Sequence, residues 1–69
     1  MADSVYKVIE LVGTSSESWE KAATMAIERA AKSLRDLRVA EVTNLDIVIE
    51  GGKVKAYRAK LKVSFKFEK

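Results

Sequence analysis

Three side chains that offer oxygen atoms to a metal ion lie close together along the chain, at Asn44, Asp46 and Glu50. Calcium binds about six to eight oxygens in proteins, and many of them come from carboxylates and carbonyls. Three residues do not fill that number, so a calcium site here needs oxygens from several subunits. Ordinary solvated side chains are favoured over a calcium site, because the set of ligands is small and nearby lysines oppose a cation.

Other site chemistry is limited by composition. The chain has no cysteine and no histidine, which excludes thiolate chemistry, a histidine general base and zinc bound by either residue. Ser15, Ser16 and Ser18 therefore have no histidine partner, and no spacing selects another catalytic pair. Residues 13–16 lack the glycine pattern of a phosphate-binding loop, so helix capping is favoured there. No catalytic residue is predicted, and the protein is not expected to be an enzyme.

The end of the chain is strongly basic, which raises the question of nucleic acid. The charged side chains of the last predicted strand are Lys53, Lys55, Arg58, Lys60, Lys62 and Lys66, with Glu68 as the acid. Single-stranded nucleic acid is bound by cations that lie beside aromatic rings. Here Tyr57, Phe65 and Phe67 point to the opposite face of a strand. A solvated face, or one that lines an assembly, is favoured over a nucleic-acid site.

The first half of the chain reads as a strand followed by a helix. Residues 5–12 are rich in β-branched side chains and predict a strand. Apolar residues then recur every three or four positions, which predicts a helix capped within residues 14–16 and ending near Leu37. Trp19 is the only tryptophan and continues this apolar stripe. We interpret it as an anchor in the core or at a subunit interface, rather than as a ring that stacks on a ligand.

The second half predicts two long strands, over residues 39–50 and from 53 to about 68, joined by a glycine turn at residues 51–52. The order is β-α-β-β, an α+β fold in a single domain of residues 1–69. The first of these two strands changes phase, because its apolar residues are even-numbered up to Val42 and odd-numbered from Leu45. A bulge at residues 43–44 explains the change. Burial of both faces by a neighbouring subunit is the alternative.

The length of the chain and of its predicted elements indicates that several copies assemble. A core made by 69 residues is small, and neither disulfides nor a zinc site can reinforce it. A helix of about 20 residues spans about 30 Å, whereas a strand of about 15 residues spans roughly 50 Å. The apolar overhang, which includes Phe65 and Phe67, therefore needs another copy of the chain.

No targeting signal is visible in the sequence. Asp3, Lys7 and Glu10 interrupt the first ten residues, so no signal peptide is predicted. No apolar run approaches the ~20 residues that cross a membrane. We expect a cytoplasmic protein with no membrane partner.

Four short segments carry a family resemblance, and they are residues 12–15, 32–37, 41–42 and 63–67. In this order, and in a chain of this length, they resemble the dodecins. The resemblance implies that a three-stranded antiparallel sheet wraps one helix and that twelve copies form a hollow sphere. It also implies binding and storage of a small ligand, usually a flavin such as riboflavin or flavin mononucleotide (FMN).

The positions of the family's flavin site are altered here. Its stacking tryptophan corresponds to Val39, its glutamine on the last strand to Arg58, and an arginine on the middle strand to Asp46. Valine offers no ring to stack, so we predict that flavin binds poorly or not at all. The phase change also predicts that Asp46 lies across from Arg58, and an ordinary exposed ion pair is favoured over a ligand role for the two.

Some dodecin relatives without the tryptophan are associated with calcium, and this chain looks closer to that branch. The expected function is thus that of a dodecameric small-ligand-binding and storage protein with a lost or altered flavin site. The alternatives are a calcium-binding dodecin and a structural or interaction shell with a basic surface.

Overall fold

The computed structural model describes residues 3–67 of the chain. They form four elements, which are β1 (Tyr6–Ser15), α1 (Trp19–Ala31), β2 (Leu37–Glu50) and β3 (Lys53–Lys66). This confirms the α+β class and the β-α-β-β order. The expected end of the last strand at Glu68 lies outside the described residues, as do both ends of the expected domain over residues 1–69.

The central strand of the sheet is β3, which pairs antiparallel with β1 on one side and β2 on the other. Its strict alternation explains this position, because Ala59, Leu61 and Val63 are buried on the side where α1 packs. We call that side the inner face and the opposite side the outer face. Residues of β1 and β2 share the face of the β3 residue that lies opposite them.

The helix begins later than the sequence predicts. Ser18 is its N-cap, and Ser18 Oγ accepts a hydrogen bond from the backbone N–H of Lys21 at 3.0 Å. The predicted cap within residues 14–16 is wrong, because β1 continues through Ser15. Ser15 Oγ instead accepts a hydrogen bond from the backbone N–H of Glu17 at 3.0 Å, in the turn that precedes the helix.

The helix also ends earlier, at Ala31, so the predicted end near Leu37 is wrong. Asp36 has a φ of 59°, a left-handed conformation that a right-handed helix excludes. Leu37 then begins β2 and packs against the core from the sheet. Its apolar character, which looks like the next position of the helical stripe, belongs to the strand. No helix within residues 3–67 is long and apolar enough to span a membrane.

The core lies between α1 and part of the inner face. Ala22 and Ala59 are completely buried, and Leu61 is 1% exposed. Gly13 makes the close approach of the helix possible, because a Cβ at this position would overlap the backbone carbonyl of Ala22 and crowd Ala26. Small residues on both sides thus let α1 lie directly on the sheet.

The phase change in β2 is a bulge, as one of the two interpretations predicts. The pairing with β3 passes from Val42 opposite Leu61 directly to Asn44 opposite Lys60, which leaves Thr43 as the extra residue. Thr43 Oγ1 donates a hydrogen bond to the carbonyl of Lys60 at 3.2 Å and so fixes the bulge to β3. Further register shifts occur near Arg38 and Lys55. The bulge keeps apolar residues on the inner face along both halves of the strand.

The inner face extends well beyond the helix. The 13 residues of α1 span about 20 Å, whereas residues 3–67 extend over 53 Å. Four large apolar side chains near the β2–β3 turn are left exposed, namely Leu45 (48%), Ile47 (39%), Ile49 (66%) and Val54 (55%). The predicted overhang is therefore present, but it is centred on this hairpin. Phe67 is also exposed, while Phe65 is half-buried.

Candidate functional site

The outer face carries cations and acids in rows that cross the three strands. Starting near the hairpin, the rows are Thr14 with Arg58 and Asp46, Val12 with Lys60 and Asn44, Glu10 with Lys62 and Glu41, and Val8 with Ser64 and Val39. Val39, Asp46 and Arg58, the three positions predicted to match the family's flavin site, thus lie on one face, in the first and last of these rows.

Asp46 and Arg58 form a bidentate ion pair across β2 and β3. Arg58 Nε donates to Asp46 Oδ1 at 2.7 Å, and Arg58 Nη2 donates to Asp46 Oδ2 at 2.8 Å. The predicted position of Asp46 across from Arg58 is confirmed. Both side chains remain accessible, with 40% of Arg58 and 33% of Asp46 exposed. A planar fork that meets both oxygens is the strongest geometry for such a pair.

The pair fixes the protonation of both groups. The hydrogen bonds from Arg58 lower the pKa of Asp46 below its ordinary value, and the positive charges of Arg58 and Lys60 act in the same direction against partial desolvation. The same hydrogen bonds and the charge of Asp46 raise the pKa of Arg58. The carboxylate and the guanidinium are therefore both charged at neutral pH, and they neutralise each other.

Trp19 holds the backbone of Asp46 from the other side of the sheet. Its indole Nε1 donates a hydrogen bond to the carbonyl of Asp46 at 3.1 Å. Its ring packs edge-on against Tyr57, with 5.1 Å between the ring centroids. This agrees with the anchor interpretation of Trp19. The bond to Asp46 was not predicted, although an indole N–H on a packed face generally needs an acceptor.

Val39 lies far from the ion pair within one chain. It is opposite Ser64, whose Oγ donates a hydrogen bond to the Val39 carbonyl at 3.3 Å. Seven positions along β2 separate it from Asp46, which corresponds to about 20 Å after allowing for the bulge. Its side chain is 65% exposed. One small ligand cannot contact both places in the same chain.

The three oxygen-bearing residues predicted for calcium are only partly brought together. Asn44 and Asp46 are neighbours on the outer face, in adjacent rows. Glu50 lies at the end of β2, where its carboxylate is 3.2 Å from Lys55 Nζ. Residues 3–67 contain no group of three or more acidic, histidine or cysteine side chains that could hold a metal. Any calcium site that uses Asn44 and Asp46 therefore needs oxygens from elsewhere.

The basic strand is distributed as the alternation predicts. Lys60 and Lys62 lie on the outer face with Arg58, whereas Tyr57 and Phe65 lie on the inner face. Acidic side chains flank Lys62 on both neighbouring strands, at Glu10 and Glu41. Within the described residues, the aromatic ring of the outer face is Tyr6, which lies opposite Lys66 at the end of the sheet far from Arg58. No ring lies among Arg58, Lys60 and Lys62, which does not favour nucleic acid.

One apolar pocket could not be anticipated from the sequence. It has a volume of about 160 Å³ and opens beside the start of β2. It is lined by Ile27, Leu37, Arg38, Val39, Ala40 and Val63. These residues come from three elements, so no local pattern indicates that they meet. The pocket adjoins the position that matches the family's stacking tryptophan.

The fold agrees with the comparison to known proteins. The sequence profile of the dodecin family matches residues 5–68. The chain belongs to the dodecin family.

Two curated relatives cover most of the chain. A protein of Mycobacterium tuberculosis named calcium dodecin is 51% identical over 63 residues, which is 91% of this chain and 89% of that protein. The dodecin of Thermus thermophilus is 45% identical over 64 residues, which is 93% of each chain.

Solved structures give the same family. The dodecin of Streptomyces coelicolor superposes with a TM-score of 0.94 at 38% identity, covering 100% of this chain and 99% of that one. The crystal structure of the M. tuberculosis calcium dodecin, described as a calcium-chelating antigen with a novel calcium-binding site, has a TM-score of 0.84 at 52% identity. It covers 94% of this chain and 93% of that one.

Proposed function

We propose that this chain is the single-domain subunit of a homododecamer that binds and stores a small ligand and is not an enzyme. The observation that carries the proposal is the separation of Val39 from Asp46 and Arg58 on one outer face. A ligand that contacts both places needs two copies of the chain. The chain belongs to the dodecin family, and the resemblance to that family implies an assembly of twelve copies. This supports the same conclusion.

Assembly is also supported by the apolar side chains that α1 leaves uncovered on the hairpin. Burial of such a surface between copies removes apolar area from water, which is the main driving force for association. Light scattering in non-denaturing buffer tests this, and we expect a mass near that of about twelve chains, the number that the family resemblance implies. A folded monomer at micromolar concentration would contradict the proposal.

In this proposal the flavin site is altered. The exposed Val39 side chain cannot stack on an isoalloxazine ring, and stacking contributes on the order of 1–3 kcal/mol per base in nucleic-acid complexes. Arg58, already paired with Asp46, offers at most a weak attraction to a phosphate. We therefore expect weak binding of FMN that fades with salt, and weaker binding of riboflavin, which carries no phosphate.

A fluorescence titration of riboflavin and FMN at low and high salt tests the altered flavin site. Val39→Trp should strengthen binding of both if the rest of the site is intact, and Val8→Trp on the same row of the outer face is the matched control. Tight, salt-insensitive binding by the unmodified protein would show that the flavin site is intact.

Calcium is the second candidate ligand, favoured by the 51% identity to the calcium dodecin of M. tuberculosis and by the adjacent oxygens of Asn44 and Asp46. A ligand that binds only the folded protein raises its melting temperature. Calcium at millimolar concentration should therefore raise it, and Asp46→Asn should abolish the rise. Glu41→Gln removes an acid from the same face and should leave the rise intact.

If neither flavin nor calcium stabilises the protein, the assembly is a shell without either ligand, whose basic outer-face residues serve interaction instead. The absence of a melting shift with calcium would return Asn44, Asp46 and Glu50 to the role of surface residues.

A further inference from the structure

The apolar pocket at the start of β2 has the size of one six-membered ring. Its volume is about 160 Å³, close to the roughly 150 Å³ of an engineered apolar cavity that binds benzene. Drug-sized ligands generally occupy pockets of about 300 Å³ or more, so a single ring or a branched aliphatic group is the largest occupant. The pocket is partly open to solvent, so such a group can enter it from solution.

The residues around the pocket explain why space is left there. Ile27 comes from α1, while Leu37, Ala40 and Val63 lie on the inner face of the sheet. Ala40 is opposite Val63, and its neighbours along the inner face of β2 are the larger Leu37 and Val42. The small side chain at position 40 therefore leaves a gap between the helix and the sheet, and the walls of this gap are apolar.

Arg38 is the charged residue of the lining, and a register shift brings it there. It is the extra residue at the start of β2, between Leu37 opposite Phe65 and Val39 opposite Ser64. In a continuous ladder, residue 38 would lie opposite Ser64 on the outer face. The shift gives that position to Val39 and leaves Arg38 beside the pocket, as bulges generally do when they redirect a side chain.

The guanidinium of Arg38 is only loosely held by its acidic neighbour. Arg38 Nη2 is 3.9 Å from Asp36 Oδ1, and both side chains are nearly half exposed. This distance is too long for a hydrogen bond, and an exposed pair of this kind contributes little. By contrast, the fork of Arg58 meets both oxygens of Asp46 at 2.7 and 2.8 Å. The planar fork of Arg38 can therefore turn to another carboxylate.

We propose that this pocket binds a small apolar carboxylate, a molecule in which one ring or a branched aliphatic group carries a carboxylate. The apolar group fills the space beside Ala40, and the carboxylate accepts hydrogen bonds from Arg38. This site goes beyond the proposed function, because it lies between α1 and the inner face and uses neither Asp46 nor Arg58 of the outer face. The competing occupant is an apolar side chain of a neighbouring copy.

The test is a titration of the assembled protein with benzoate, followed by NMR of the isoleucine methyl groups. Ile27 lines the pocket, whereas Ile49 lies near the far end of β2. The Ile27 signal should shift to saturation, and the Ile49 signal should stay in place. Benzyl alcohol keeps the ring without the charge and should bind roughly two- to fivefold more weakly. Acetate lacks the ring and should bind more than about tenfold more weakly.

Two variants separate the contribution of the ring from that of the charge. Ala40→Leu fills the pocket from a position that is exposed in the single chain, and it should abolish the Ile27 shift. Arg38→Gln should weaken benzoate roughly two- to fivefold, the range that corresponds to exposed ion pairs, and leave benzyl alcohol unchanged. Arg35→Gln removes the same charge three residues earlier, outside the lining, and is the matched control. Melting curves show whether each variant is folded.

Asp36→Asn should strengthen binding. It removes the carboxylate that competes for Arg38, and asparagine tolerates the left-handed φ of 59° at this position. We expect roughly twofold tighter binding of benzoate and unchanged binding of benzyl alcohol. Equal affinities of the two compounds for both the unmodified protein and Asp36→Asn would contradict a role for Arg38 in holding a carboxylate.

Two further outcomes would overturn the site itself. Benzoate may fail to shift Ile27 in the folded assembly while Ala40→Leu lowers the assembled mass in light scattering, which would show that a neighbouring copy fills the pocket. A shift of Ile27 that survives in folded Ala40→Leu would show that benzoate binds elsewhere. Both readouts are independent of flavin and calcium, so the failure of this site is distinguishable from the failure of the proposed function.

Discussion

The two ends of the inner face have similar residues and opposite environments. The covered end contains Leu61, Val63 and Gly13, and it lies beneath α1. At the hairpin end, formed by Leu45, Ile47, Ile49 and Val54, the side chains are 39–66% exposed. Both ends place large apolar residues on the inner face. The difference arises from the length of the helix, which covers only one of them.

This difference shows that alternation specifies which face is buried and leaves open what buries it. The covered end is closed by contacts within the chain, made possible by small residues on the helix and strand. The hairpin end has no covering layer within the chain, and in the proposed assembly another copy provides it. We expect mutations at the covered end to act on folding at any concentration and mutations at the hairpin end to act on assembly.

The strongest test of the covered end is Gly13→Val. A Cβ at this position overlaps the carbonyl of Ala22, and a branched side chain forces the helix away from the sheet. We expect loss of the cooperative unfolding transition in urea, with an effect beyond the ~1–3 kcal/mol of ordinary overpacking. Thr14→Val, one residue away on the exposed outer face, is the control and should stay within about 0.5 kcal/mol. A stable Gly13→Val protein would mean that the helix does not contact this strand closely.

Leu61→Ala is the next largest change, because this side chain is 1% exposed in the centre of the core. Removing it should lower the free energy of unfolding by about 2–5 kcal/mol, as large-to-small core changes do. The measurement is urea denaturation at two protein concentrations. The loss should be the same at both, since the cavity forms within one chain. A loss that depends strongly on concentration would assign Leu61 to the subunit interface.

Ile49→Lys addresses the hairpin end. The residue is 66% exposed in the single chain, so the fold of one subunit should tolerate the change within about 1 kcal/mol. A buried unpaired charge is costly, and the assembly should therefore dissociate to smaller species in light scattering while the circular dichroism spectrum is kept. Ser16→Lys adds the same charge in an exposed turn and should leave the mass unchanged. An intact assembly of Ile49→Lys would show that this end stays open to solvent.

The smallest expected effect concerns pH and the outer side of the hairpin end. Arg58 lowers the pKa of Asp46 in the folded protein, so the unfolded chain takes up this proton more readily. The pair thus contributes stability above the unfolded pKa of about 3.9, and this contribution is lost as the pH falls through the lower folded pKa. Urea titrations of the unmodified protein and Asp46→Asn should differ near neutral pH and converge in acid. A difference that is constant with pH would contradict the pair.

The order of the elements along the chain could be predicted because it follows from hydrophobic periodicity and turn residues. The central position of the basic strand was not predicted, since it depends on the pairing of β3 with both other strands. The bulge at Thr43 was visible as a phase change, and with it the position of Asp46 opposite Arg58. The limits of the helix were not predictable. Ser15 and Ser18 are equally good caps by type, and only the pairing of β1 with β3 decides between them.

The candidate site shows a similar limit. The residue types at positions 39, 46 and 58 could be compared with the family from the sequence. The distance between Val39 and the pair of Asp46 and Arg58 depends on the register in which β2 pairs with β3. The apolar pocket beside Val39 depends on the end of the helix, which local patterns misplace. Long-range pairing, which has no local signal, therefore decides what a ligand can contact.

The extra residue at Thr43 has a consequence for the curvature of the sheet. A bulge bends its strand and increases the local twist, while the pairs on both sides of Thr43 are complete. Deletion of this one residue would leave a continuous ladder from Val42 to Asp46 with every side chain on its present face. The sheet would lose a bend and the hydrogen bond from Thr43 Oγ1 to the carbonyl of Lys60. In the closed shell that we propose, the angle of each subunit would set the radius, so Thr43 is a position where one residue could change the size of the assembly.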